Sequence, residues 1–355
     1  MFNIFIKKFS TLTLICLSTF SAKNKFVKFL FDFFKKNSSE FIYFLFYKNK
    51  NKILNYLKQR QEIEKKELFI LYKNLKVDNE MSSVLNDLNK TGISKNLNID
   101  ITDEEINSFV DEMNRSHYYD NHVPYKKDKK DPKIKPNGPY KSYDYSTQLN
   151  NSTLLKICLN EKILKVAQNY LGVIPRIFSI NTFNTLPGKK AFTHDFHRDI
   201  DNLKWLVFFV YWTDTSENNG AFEQINFTHK PSIELEKLLN VNPDIFSSNF
   251  DKFFKNSIGY GKNDKYIELF KNEINSIYGS AGKIVACDTL GLHRGTPVKN
   301  ERLVTWIRYG VMESRQKILN NEETLNRKIK LTDENMEILN KSKFKDVLSD
   351  LVEIN

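Results

Sequence analysis

Two histidines and one aspartate are the residues of this chain whose types and spacing point to chemistry. His197, Arg198 and Asp199 close the stretch that begins at Thr193, and His293 follows 94 residues after Asp199. Two imidazoles and one carboxylate can cap one face of an octahedral ion. Its other positions then stay open to a cosubstrate and O2, the facial arrangement of non-haem Fe(II) oxygenases. Alternate residues of a strand point to the same side, so an i, i+2 pair suits this geometry. The third ligand has to come from a distant strand that pairs back across a barrel.

A His-x-Asp triplet alone arises often by chance, and the sequence around it supplies the weight. Arg176 to Gly188 reads as a strand ending in a turn. Lys204 to Trp212 is an apolar run with the β-branched and aromatic bias of a buried strand. A turn from Thr213 to Ala221 leads into another strand ending at Thr228-His229-Lys230. Ala281 to Pro297 carries His293, Arg302 lies nine residues beyond it, and Leu303 to Gly310 reads as the next strand.

On these residues the chain resembles the phytanoyl-CoA dioxygenase family of Fe(II)/2-oxoglutarate-dependent oxygenases, over roughly residues 88–310. Asp214, Asn219-Gly220, Thr228-His229-Lys230, Ala281-Gly282-Lys283, His293-Arg294-Gly295 and Arg302 stand at the family's motif positions. Two departures touch no ligand. Asn226-Phe227-Thr228-His229 replaces the usual Pro-Gly-Ser-His, and Lys283 replaces the aspartate of Gly-Asp.

The resemblance implies an α+β fold with a double-stranded β-helix, or jelly-roll, core. It implies His197, Asp199 and His293 as catalytic iron ligands, with Fe(II), 2-oxoglutarate and O2 as cofactor and cosubstrates. Arg302 is expected to hold the distal carboxylate of 2-oxoglutarate, because a guanidinium fork matches a carboxylate bidentately. A surface pairing with Glu301 or Asp214 is its alternative, and Arg308, on the same strand face, is the fallback anchor. Asn181 and Thr296 are candidates for further hydrogen bonds to the cosubstrate. Related halogenases lack the carboxylate ligand. With Asp199 present, the resemblance implies hydroxylation, or an oxidation of that kind, of a small organic or lipid-like substrate, with release of succinate and CO2. His194 and His229 are read as supporting residues, and Trp205, Trp212, Phe208 and Phe209 as core.

The chain of 355 residues is 40% hydrophobic and 27% charged, as in a globular protein. Cys16, Cys158 and Cys287 form neither a disulfide framework nor a CxxC site, which favours a reducing, cytoplasmic setting. Cys287 reads as a small buried apolar residue. Residues 1–70 hold 14 Lys or Arg against 5 Asp or Glu, a net of +9 out of the chain's +11. No zinc-finger, basic-zipper or RNA-recognition pattern accompanies that charge, so no nucleic-acid partner is read from it.

Residues 1–75 form a basic, Phe- and Lys-rich segment open to three readings. It is a set of helices packing on the body, a peripheral contact with an anionic membrane surface, or an export signal. Residues 76–312 are the expected dioxygenase domain, with its first strand over 93–101. Thr102 to Glu105 is a capping box opening an amphipathic helix. Residues 118–145 read as a polar loop. A helix over 154–159 precedes one over 161–171, which Asn160 caps and Gly172 ends. Strands are expected over 176–186, 204–212, 221–228, 283–288 and 301–309. Residues 231–278 read as a helical insertion, either packed on the outer sheet or placed as a lid. Residues 313–355 return to helix, with Thr332 as a cap. A second reading from another class is a non-catalytic jelly roll attached to a membrane surface by the basic arm.

Overall fold

The computed structural model describes residues 47, 49–118, 139–189, 191–241, 268–312 and 328–354. Among them, six strands form one antiparallel sheet in the order β1-β7-β4-β9-β3-β2: β1 Ile93–Asn96, β2 Tyr140–Ser142, β3 Arg176–Thr185, β4 Trp205–Tyr211, β7 Ile284–Cys287 and β9 Arg302–Gly310. A smaller sheet runs β6-β5-β8, from β5 Phe222–Ile225, β6 Ile274–Ile277 and β8 His293–Gly295. The strand pattern gives the expected two-sheet jelly roll within an α+β fold.

The period-2 alternation decides what each face of the large sheet does. Leu206, Phe208 and Val210 of β4 face the same way as Leu303, Ile307 and Tyr309 of β9, and all join the main apolar core with the helices. Their neighbours Val207, Phe209, Tyr211, Arg302, Val304, Trp306 and Arg308 face the other way, into a cavity.

Helices seal the outer face. They are α1 Lys50–Glu64, α2 Lys66–Asn74, α3 Asn79–Thr91, α4 Asp103–Arg115, α5 Tyr145–Leu149, α6 Ser152–Cys158 and α7 Glu161–Leu171. The Thr102 capping box is present: Glu105 N donates to Thr102 Oγ1 at 3.2 Å, and Thr102 N donates to the Glu105 carboxylate at 3.1 Å. The Phe109 ring of α4 then stacks 3.7 Å from Trp212, just past the end of β4. Asn160 caps α7 and Gly172, at φ +79°, ends it. Gly92 ends α3 at φ +88°, where a Cβ would meet the Gln224 amide and the His229 ring at 2.6 Å.

The segment ahead of residue 75 packs into this body as far as it is described. Ile53 of α1 and Tyr72 of α2 are core residues. Gln61 exchanges hydrogen bonds with the Ile174 backbone, and Lys165 Nζ donates to Tyr72 O. Residues 1–46, on which the membrane and export readings rest, lie outside the described residues. No described helix is long and apolar enough to cross a membrane.

Four expectations need correction. The first strand stops at Asn96 and does not run to residue 101, and its register against β7 shifts between Ile93 and Asn96. The polar loop over 118–145 ends in β2, paired to β3 from Tyr140↔Thr185 to Ser142↔Phe183. The insertion over 231–278 begins as helix α8 Pro231–Val241 but closes with β6, a strand of the small sheet. Leu235 and Leu238 of α8 pack with Phe196, Phe227 and Phe270, so this helix covers a core; residues 242–267, and with them the lid, lie outside the described residues. Finally, residues past 328 are more than a helical tail. After Thr332 caps α9 Asp333–Lys341, Phe344, Val347, Leu348 and Val352 enter the main core.

Candidate metal centre

The His-x-Asp triplet lies outside any regular strand, contrary to expectation, yet its backbone is pinned on both ligands. His197 N donates to His293 O and His293 N to His197 O, each at 2.9 Å, and Asp199 N donates to Thr289 O at 2.9 Å. Two segments far apart in sequence are thereby clamped side by side.

One ligand atom from each of His197, Asp199 and His293 lies within 4.8 Å of the others. The imidazole centroids are 4.3 Å apart, and His293 Nε2 lies 3.8 Å from Asp199 Oδ2. His197 Nδ1 is 2.9 Å from Asp195 O, and His293 Nδ1 is 2.9 Å from Gly291 O. A carbonyl only accepts, so each Nδ1 carries the proton and each Nε2 keeps its lone pair for a metal. Burial, with His197 beside it, pushes the His293 imidazole down to about 3, which keeps it neutral. Burial opposes the charge on Asp199, but the Arg308 guanidinium beside it outweighs burial and holds the carboxyl below its usual range.

The triad opens into a cavity of about 380 Å³ between the sheets. Arg302 lies in its wall, buried to 6% exposure. Nη1 donates to Gly220 O and Nη2 to Thr185 Oγ1 at 3.0 Å, while Nε has no hydrogen-bond partner among the described residues. The surface pairing is therefore corrected: Glu301 pairs with Lys141, and Asp214 accepts from Ala281 N at 2.8 Å. Among the described residues no carboxylate faces Arg302, and an unpaired buried charge costs several kcal/mol. An anion entering the cavity would remove that cost. Gly220 stands at φ +73°, and a Cβ there would meet Arg302 Cδ at 2.7 Å, so this turn admits only glycine beside the arginine.

Arg308 is occupied differently. Nη2 lies 3.0 Å from Asp199 Oδ2, Nη1 pairs with Asp201, and the guanidinium carbon sits 4.0 Å over the Trp306 ring. Asn181 lines the cavity, and Thr296 is not among its lining residues. His194 is buried, its Nδ1 accepting from Ala191 N at 3.2 Å. His229 is buried against Gly92 and is not among the residues lining the cavity. Trp205, Trp212, Phe208 and Cys287 are core, as read from the sequence, while Phe209 lines the cavity.

Sequence reasoning missed the partner of Arg198, the residue between the two ligands. Its guanidinium forms a fully buried ion pair with Glu234 of α8, and Nη1 also donates to Thr228 O at 2.6 Å and Leu290 O at 2.8 Å. Nothing in the spacing of residues 198 and 234 signals this contact. The replacement of glycine by Phe227 is also resolved: the backbone keeps φ +59°, and the ring packs 5.5 Å from Phe270.

No family model matches the chain, and no curated protein does either. Solved structures do resemble it. One is HygX from Streptomyces hygroscopicus with nickel and 2-oxoglutarate bound, 14% identical, covering 66% of this chain and 87% of its own, at a TM-score of 0.43. EctD from S. alaskensis with bound Fe is 12% identical, over 64% and 75%, at 0.44. The epimerase SnoN in complex with Fe3+, alpha ketoglutarate and nogalamycin RO is 12% identical, over 66% and 83%, at 0.42. At those values the likeness decides nothing about function, which has to stand on the site's own geometry.

Proposed function

We propose that this chain is an Fe(II)/2-oxoglutarate-dependent dioxygenase that hydroxylates a small molecule. The observation that carries this reading is one cavity with both halves of the required donor set. Two imidazoles and a carboxylate converge within 4.8 Å, and a buried guanidinium with no carboxylate partner among the described residues lines the same cavity.

His197, Asp199 and His293 would hold the ion, a donor set that suits Fe(II) without selecting it uniquely. Arg302 would hold the distal carboxylate of 2-oxoglutarate, with Thr185 and the Gly220 carbonyl fixing the plane of its fork. When bound, Fe(II) with 2-oxoglutarate and O2 supplies the oxidation of a C–H bond, with succinate and CO2 as coproducts. The chain's own residues position and shield. Val207, Phe209, Phe222 and Val304 make the walls apolar and limit water. Tyr140 and Thr193, hydrogen-bonded to each other, and Asn181 offer polar contacts to a substrate. A non-catalytic jelly roll would have no use for a converging triad and a buried anchor together.

The test is anaerobic reconstitution with Fe(II), then exposure to O2 and 2-oxoglutarate across a panel of small metabolites, scored by succinate. Succinate that depends on iron, cosubstrate and one class of metabolite supports the reading. A protein that retains no Fe(II) under these conditions overturns it.

A further inference from the structure

A second carboxylate stands beside the metal ligands and is kept out of their cluster. Asp201 lines the same cavity as Asp199, two residues further along the chain. The ligand atoms that converge within 4.8 Å include Asp199 and exclude Asp201. Both carboxylates are held by one guanidinium, Arg308, through Nη2 to Asp199 Oδ2 and Nη1 to Asp201 Oδ2. The two nitrogens share a carbon and a plane, so the two carboxylates are fixed side by side. The Trp306 ring, 4.0 Å below, sets the tilt of that plane.

A divalent ion has no means of telling one aspartate from the other, since the donor atoms are identical. Swung toward the triad, Asp201 would compete for a position that a facial site must keep open. We propose that Arg308 is a positioning residue that holds Asp201 off the metal, leaving Asp199 as the single carboxylate ligand. This rests on the metal centre proposed above. Lysine does not replace it, because one ammonium is a point charge and does not span two carboxylates as a planar fork does.

The test counts waters on the ion. Mn(II) is loaded into full-length wild type, Arg308→Gln, Asp201→Asn and the double variant, and water-proton relaxation reports how many waters the ion keeps. Wild type and Asp201→Asn are expected to agree. Arg308→Gln is expected to keep Mn(II) but lose about one water as Asp201 swings in, filling one of the open positions. Its affinity for 2-oxoglutarate should fall roughly tenfold or more. The double variant is expected to recover the water. A change in local charge alone would alter affinities but not this count. An unchanged count in Arg308→Gln, or no recovery in the double variant, overturns the proposal. If Arg308→Gln does not fold, Arg308→Lys takes its place with the same expected loss, and an unchanged count there is equally fatal. A wild-type protein that takes up no Mn(II) instead sinks the metal centre itself, a result distinct from the others.

Discussion

His197 and His293 exchange both of their main-chain hydrogen bonds, amide to carbonyl, at 2.9 Å in each direction. Ninety-six residues separate them in the chain. The pairing sets both imidazoles on one side of a two-residue ladder, and each ring is then turned by its own carbonyl, Asp195 O or Gly291 O. Protein hydrogen bonds thus fix the placement and tilt of both rings.

Because the backbone bonds survive side-chain truncation, His197→Ala, Asp199→Ala and His293→Ala should each abolish Fe(II) retention and leave the fold intact. Calorimetric titration with Fe(II), beside circular dichroism, reads both quantities. Three variants that bind iron like wild type would mean the triad is misassigned.

Arg302→Ala should raise the 2-oxoglutarate requirement far more than it changes iron affinity. The expected loss is roughly 2–5 kcal/mol, the usual penalty for removing one member of a buried, hydrogen-bonded charge pair. Arg308→Ala should act instead through the carboxylates it clamps. A cosubstrate defect confined to Arg308→Ala would place the anchor on the wrong arginine.

His229 gives a pH signature away from the metal. Burial pushes its imidazole down to about 4 from 6.5, with Asp288 opposing and Lys230 and Lys50 reinforcing. A depressed folded value means this contribution to stability is complete above pH 6.5 and is lost as pH falls toward 4. At pH 5 the loss is roughly 2 kcal/mol. Urea unfolding at pH 7 and pH 5 should show wild type losing about that much more than His229→Gln. Equal losses in the two proteins would show that this ring does not govern the acid limb.

The basic arm divides near Tyr47. A chain starting at Asp78 lacks Ile53, Tyr72 and the Gln61 contacts with Ile174, and is expected to aggregate. A chain starting at Tyr47 should stay soluble and retain iron. If full-length protein then co-sediments with anionic vesicles at low salt and the Tyr47 start does not, the first 46 residues are a surface anchor. If both ignore vesicles, the membrane idea falls.

What was legible in the sequence was whatever local physics dictates. Caps at Thr102, Asn160 and Thr332 announce themselves by side-chain chemistry, and β4 and β9 by short runs rich in β-branched and aromatic residues. The face shared by Arg302, Val304, Trp306 and Arg308 followed from period 2. Three- and four-residue strands such as β2 and β6 carry too few residues to show a period, and only their partners β3 and β5 define them. The clamp of Arg308 on Asp199 and Asp201 was equally hidden, because the sequence marks Asp199 and Arg308 but nothing in its spacing points to Asp201 or says which cation meets which anion.

The pair of Arg198 and Glu234 joins the triplet that carries two ligands to the first helix of the insertion. Its dryness makes the excursion after residue 230 part of the centre's foundation. A shortened chain without Glu234 would strand a guanidinium beneath the ligands, at a cost on the order of 3–5 kcal/mol. Replacing both partners by apolar side chains of matching volume would be far better tolerated. Descent or design can therefore rewrite this junction as a couple, and neither member alone.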